Sequence, residues 1–211
     1  MKRRCVIVGG AGIKDYQGVW EYLNPDDFNI FCDSGLCHRE ALGIAPHLIV
    51  GDFDSHPNPR LDVETIVLPC EKDDTDTVFA VKEAVRRGFD DFLLLGAAGG
   101  RLDHTLGNLS ILLSLHAQGR RAMLVDDYAE IEVVGREPVV IGGEFPFFSL
   151  LNISGTARGI TIEGAKYPLR DGEILCTYQY GVSNEVLPGQ RAVVSVQDGA
   201  LLLVKVRRDR I

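Results

Sequence analysis

Up to Val125 the chain repeats one pattern: a short β-branched or aliphatic run, a Gly or Asp turn, then an amphipathic segment. Strands joined through helical crossovers run parallel, and a parallel sheet needs helices on its faces. The alternation therefore predicts an α/β domain with a Rossmann-like sheet. The predicted strands are Arg4–Val8, Asn29–Cys32, Leu48–Val50, Thr65–Leu68, Phe92–Leu95 and Ala122–Val125. Helical periodicity marks Val19–Leu23, Gly35–Leu42, Thr75–Arg87 and Asp103–Gln118. Thr75–Arg87 is the clearest: Val78, Phe79, Val81 and Val85 form an apolar stripe, Thr75 suits an N-cap, Asp76 falls in the first turn, and Gly88 sits where a terminating glycine belongs.

After Asp126-Asp127 the pattern changes. Glu130–Val134, Pro138–Ile141, Phe147–Asn152, Gly159–Glu163, Glu173–Tyr178, Arg191–Gln197 and Ala200–Val206 are short, β-rich and separated by Gly, Pro, Asn or Asp turns. Such spacing predicts an antiparallel sandwich or barrel. The expected organisation is an α/β domain over residues 1–126 and a β-sandwich over 127–211. At 45% hydrophobic and 25% charged residues, the chain can build cores without staples. Its five cysteines, an odd number with no C-x-x-C pair, are expected as buried free thiols, and Trp20, Phe147 and Phe148 as core residues.

A net charge of −8 with no long Lys/Arg run argues against a nucleic-acid partner. The N-terminal apolar stretch is too short for a signal peptide, and no stretch approaches a membrane span, so a soluble, cytoplasmic protein with no membrane partner is expected.

Ligands of an open parallel sheet bind beyond the carboxyl ends of its strands. The chemistry-bearing residues gather there: Asp33-Ser34-Gly35 after the second strand, Gly51-Asp52-Phe53-Asp54-Ser55 after the third, Lys72-Asp73-Asp74-Thr75-Asp76 after the fourth, and Gly96 to His104 after the fifth. Asp52 and Asp54 could simply close an Asx turn. With Asp73, Asp76 and Asp103 at the same edge, however, the charges would repel one another unless a cation lay among them. Oxygen-only ligands suit Mg²⁺. Gly99 and Gly100 let backbone approach an anion, and Arg101 matches phosphate with a planar fork, although the loop fits neither the Walker A nor the G-x-G-x-x-G pattern. His104 reads as a general base or a structural hydrogen-bonding group, and Asn108 as a ligand contact or a helix-to-loop tie. Gly181-Val182-Ser183-Asn184-Glu185 reads as a hairpin loop or as donors and acceptors for a neutral heteroaromatic ring.

In this order and spanning essentially the whole chain, these motifs resemble the thiamine pyrophosphokinase (thiamine diphosphokinase) family. The resemblance implies Mg²⁺-dependent transfer of a pyrophosphoryl group from ATP to the hydroxyethyl oxygen of thiamine, giving thiamine diphosphate and AMP. It implies Asp52, Asp54 and Asp76 as metal ligands, with Asp73 and Asp103 as further polar contacts. Arg101, Gly99 and Gly100 are implied as the phosphate cradle, Asp33, Gly35, Lys72, Thr75 and Asn108 as ATP-side contacts, and Ser183 and Asn184 on the thiamine side. It also implies a homodimer whose active site is shared between one subunit's α/β domain and the other's β domain. Two positions depart from the family pattern: Ser34 where relatives often carry Gly, and Val186 where many carry an aromatic residue. Asp73 and Asp103 are alternative proton acceptors. A metal-dependent phosphohydrolase and a non-catalytic thiamine or nucleotide sensor are the rival functions.

Overall fold

A computed structural model describes residues 4–54, 57–71, 73–153 and 155–207. The chain divides into two compact units, Met1–Asp127 and Tyr128–Ile211.

In the first unit, β1 (Arg4–Val8), β2 (Phe28–Cys32), β3 (Leu48–Gly51), β4 (Glu64–Val67), β5 (Asp91–Leu95) and β6 (Arg121–Val125) form a parallel sheet in the order β6-β5-β1-β2-β3-β4. The predicted strands are all present, with ends shifted by a residue or so. Their near-continuous burial explains the absence of polar alternation in the text: both faces are covered. On one face Val6, Val8, Phe31, Ile49, Leu93, Leu95 and Val125 pack with Val19, Leu36 and Leu42, which come from α1 (Tyr16–Trp20), a 3₁₀ turn (Asp33–His38) and α2 (Arg39–Leu42). On the other face, α3 (Asp76–Arg86) lies over β1, β2 and β3, and α4 (Leu102–Ala117) lies over β6.

From β1 the chain builds outward through β2, β3 and β4, then crosses back to lay β5 on the other side of β1. The carboxyl edge beside β1 is therefore the switch point at which open α/β sheets form their ligand crevice.

The second unit is all β. The strands β7 (Ala129–Val134), β9 (Phe147–Leu151), β12 (Asn184–Glu185) and β15 (Leu201–Val206) pair antiparallel as one sheet. The other holds β8 (Val139–Ile141), β10 (Thr156–Glu163), β11 (Leu169–Leu175), β13 (Ala192–Ser195) and β14 (Asp198–Gly199). Both sheets supply one core: Val134, Phe148, Leu150, Leu201 and Leu203 from the first meet Ile141, Ile160, Ile162, Ile174 and Val194 from the second. This is the expected sandwich. Lys205 lies buried against Glu130 and Glu132 and beside the Phe145 ring, so its charge enters the sandwich already paired.

Two expectations are corrected. Trp20 ends α1 48% exposed, its indole N–H donating to the Ala41 carbonyl at 3.1 Å, because the short helix contributes only Val19 to the core. Cys5 and Cys32 are buried thiols, but Cys37, Cys70 and Cys176 are exposed. Among the described residues, no helix is long and apolar enough to cross a membrane.

Candidate active site

The parallel register of β2 and β3 pairs Cys32 with Val50, which sets Asp33 beside Gly51 at the carboxyl edge. Glycine is needed there, since a Cβ on Gly51 would lie 2.8 Å from the Cβ of Asp33. Asp76 reaches the same place from the first turn of α3, whose N-cap Thr75 accepts the Val78 amide at 3.3 Å. Among the described residues, Asp33, Asp52 and Asp76 form a potential metal-binding group, with one ligand oxygen from each lying within 4.8 Å of the others. Asp33 is buried and the other two are half-buried. Three hard oxygen donors this close fit a divalent cation such as Mg²⁺, and burial of so much like charge favours one. Cys32 next to them adds no charge, because burial first and then Asp76 push its thiol well up.

Asp54 is not part of that group. The Asp54 amide donates to Asp52 Oδ1 at 3.2 Å, so the Asx turn forms as well as the cluster. Between them Phe53 packs its ring on the core and takes a left-handed backbone, φ 60°, and beyond this kink Asp54 is exposed. The resemblance implied Asp54 beside Asp52 and Asp76; the group that forms has Asp33, implied on the ATP side, in its place. Asp73 is exposed, and Asp74 binds Lys82 at 2.6 Å. Lys72 and Ser55 lie outside the described residues.

Across the crevice, the loop after β5 is held from α4. The carboxamide of Asn108, buried, donates to the Ala97 carbonyl at 2.7 Å, which identifies this residue as a helix-to-loop tie. The Gly99 amide donates to Thr105 Oγ1 at 3.1 Å, so this amide is engaged within the loop, and the exposed Gly100 follows it. Arg101, exposed, grips Asp103 through two bonds of 3.2 and 2.5 Å. Those hydrogen bonds hold the Asp103 carboxyl down at about 2. His104 is exposed in the first turn of α4.

One wall was missed in the sequence. Gly9 and Gly96 touch backbone to backbone, a Cβ on Gly9 falling 2.6 Å from the Gly96 carbonyl oxygen. The Gly9 amide donates to the Leu95 carbonyl, and that of Ala11 to the Gly96 carbonyl. The signal available was Gly9-Gly10-x-Gly12 directly after the first strand.

In the second unit, Ser183 is exposed at φ 57°, its amide bound to Ser149 Oγ at 3.0 Å. Asn184 is buried and faces its own chain: its Oδ1 accepts the amides of Tyr167 and Glu185 at 3.0 and 2.9 Å, and its Nδ2 donates to the Tyr167 carbonyl at 2.8 Å. The carboxamide thereby pairs with Tyr167 as a neighbouring strand would, and the Tyr167 ring is left 60% exposed. The Ala165–Val186 bridge and the Lys166–Glu185 ion pair of 2.6 Å hold the same two segments together.

Residues 19–124 match the family described as "Thiamin pyrophosphokinase, catalytic domain", and residues 136–201 the one described as "Thiamin pyrophosphokinase, vitamin B1 binding domain". The thiamine pyrophosphokinase of Bacillus subtilis (strain 168) is 28% identical over 97% of this chain and 99% of its own length. The crystal structure of the thiamine pyrophosphokinase from Bacillus subtilis superposes with TM-score 0.83 at 26% identity, covering 98% of this chain and all of that one. For the thiamin pyrophosphokinase from Geobacillus thermodenitrificans the values are 0.81 and 27%, covering 99% of this chain and all of the other.

Proposed function

The chain belongs to the thiamin pyrophosphokinase family, and from that premise we infer that it transfers the pyrophosphoryl group of ATP to the hydroxyethyl oxygen of thiamine, giving thiamine diphosphate and AMP. The observation that carries the reading is the convergence of Asp33, Asp52 and Asp76 on one point of the sheet edge. Three carboxylates brought within reach of a polyphosphate repel it unless a cation intervenes. Asp33, Asp52 and Asp76 would hold Mg²⁺, which would supply the positive charge that a polyphosphate needs there. Asp54 is an exposed residue of the same loop.

The thiamine oxygen attacks the β-phosphorus, the bond to the oxygen bridging the α- and β-phosphates breaks, and AMP leaves with the electron pair. Arg101 and the Gly100 backbone neutralise charge growing on the phosphates, and Thr75 and Gly35 shape the turns that carry Asp76 and Asp33. A loose transition state loses the hydroxyl proton late. Asp73 and Asp103 are the two carboxylates of this edge that could accept it.

On the second unit, Ser183 and the tie made by Asn184 frame the thiamine side. The Tyr167 ring offers the stacking face that Val186 lacks. Its signal in sequence was an aromatic residue between Lys166 and Pro168 at a turn. We propose that the unit ending at Asp127 serves the nucleotide and metal, that the unit from Tyr128 serves thiamine, and that the working molecule is a homodimer sharing sites between subunits. A phosphohydrolase would have no use for a vitamin-binding domain and a sensor none for a catalytic one, and both family domains are matched.

The test is incubation with ATP, Mg²⁺ and thiamine, followed by separation of products. AMP and thiamine diphosphate in equal amounts are expected. ADP with thiamine monophosphate, or inorganic phosphate formed without thiamine, would overturn the reading.

A further inference from the structure

The loop after β1, Gly9-Gly10-Ala11-Gly12, lines the crevice edge beside Gly96, its Gly9 and Ala11 amides donating to the Leu95 and Gly96 carbonyls, yet three of its four residues are glycine. Backbone of that kind has many conformations open to it and no side chain with which to hold one. Besides those two amide bonds it is tied from behind. His38, 4% exposed in the 3₁₀ turn after β2, places Nε2 at 3.0 Å from the Ala11 carbonyl and Nδ1 at 2.8 Å from the Tyr16 hydroxyl. A carbonyl only accepts, so Nε2 carries a proton; in the neutral ring Nδ1 then accepts, and Tyr16 donates. Burial, which holds the imidazole below its ordinary range, favours that neutral form.

Further along, the Asp127 carboxylate accepts the amides of Lys14 and Asp15, each with a bond of 2.9 Å. The loop is thus pinned at Ala11 and again where it enters α1. It also packs on the turn that carries Asp33: a Cβ on Gly10 would fall 1.8 Å from Ser34 Oγ, and one on Gly35 would fall 2.2 Å from the Val8 carbonyl oxygen. A shift of the loop would therefore disturb both the crevice wall and the carboxylate cluster. Both ring nitrogens of His38 are engaged, so the ring acts through Ala11 and not on a ligand.

We propose that His38 is a positioning residue of the transfer reaction: it fixes the Gly9–Gly12 backbone against which the nucleotide lies, and Tyr16 fixes the ring's tautomer. The proposal rests on the reading that the nucleotide lies on the crevice edge that the bonded β1 and β5 loops form together.

Four variants test it: His38→Leu, His38→Gln, Tyr16→Phe and Arg101→Ala. ATP and thiamine are varied separately, and melting temperature is measured alongside. His38→Leu should raise KM for ATP about tenfold, the scale of one lost and unreplaced hydrogen bond, and leave KM for thiamine unchanged. His38→Gln, whose carboxamide N–H can meet the Ala11 carbonyl, should recover most of that loss. Tyr16→Phe should raise KM for ATP by less. If His38→Leu melts below the assay temperature, the Tyr16→Phe and His38→Gln pair decides: an unchanged KM for ATP in Tyr16→Phe overturns the proposal. A lowered melting temperature with both KM values intact would show that His38 merely packs, and would also overturn it. Arg101→Ala separates the two failures. If it weakens ATP while His38→Leu does not, only the role of His38 falls; if neither does, the crevice reading falls and the proposal with it.

Discussion

Asp52 shows how much one residue's surroundings decide. Its side chain takes the Asp54 amide in a local turn that spacing alone made legible, and it also joins two carboxylates from distant parts of the chain. That second role was only half readable. Asp76 was placed by the helix start that Thr75 announces, whereas Asp33 joins because parallel pairing sets β2 and β3 in register, and no local signal encodes that register. The fold also turns Asp54 outward at Phe53, a left-handed residue that sequence gives no cause to expect, since its side chain is bulky and not glycine. Asp33→Asn, Asp52→Asn and Asp76→Asn should each lower kcat about 10²–10³-fold with the fold intact. Asp54→Asn should cost clearly less. Turnover measured across a Mg²⁺ titration, with circular dichroism as the folding control, checks the ranking, and an Asp54 loss equal to the others would restore that residue to the ligand set.

Helices α3 and α4 do more than cover the sheet. Both helices bring functional groups to its edge, and both were visible as periodic segments because their apolar positions recur at helical spacing. The contacts at their starts were legible only in type. Thr75→Ala removes the cap that ends the loop and opens α3, so it should cost about 1 kcal/mol of stability and also loosen Asp76 in the adjoining turn. A lower melting temperature together with a raised Mg²⁺ requirement is the expected pair of results. Further along α3, Glu83 is 8% exposed and takes hydrogen bonds from Arg86 and Arg87. The bond from Arg86 first, then Arg87, holds its carboxyl down from an ordinary 4.5 to about 2. The unfolded chain therefore binds this proton more readily than the folded one, and the stability that Glu83 contributes is whole above about pH 4.5 and lost as pH falls toward 2. Denaturant midpoints of the parent and Glu83→Gln should differ most near neutrality and converge over that interval. Parallel curves at every pH would contradict the assignment.

At the scale of the whole molecule, fold class could be read from period alone. Helical and β segments alternate to Val125 and only strands follow, which is why an α/β unit and a sandwich were foreseeable. Strand order was not: every strand of the parallel sheet is a similar apolar run, and the return of the chain to place β5 beside β1 depends on crossover geometry that no residue spells out. The crevice, and with it the significance of Gly9–Gly12, follows from that order. Two groups of candidate site residues on two separate units raise the question of which unit serves which. In a homodimer with shared sites, a site joins the Asp52 of one chain to the Tyr167 of the other. A chain carrying Asp52→Asn and a chain carrying Tyr167→Ala are then each inactive alone, yet a mixed dimer holds one site with both mutations and one with neither. Random assortment makes half the dimers mixed, so co-expressed chains should recover about a quarter of parental activity at subsaturating thiamine. If each chain built its site from its own two units, every site in the mixture would keep one mutation. Activity would then stay at the level of the separate variants, and sharing between subunits would be refuted even if light scattering reported a dimer.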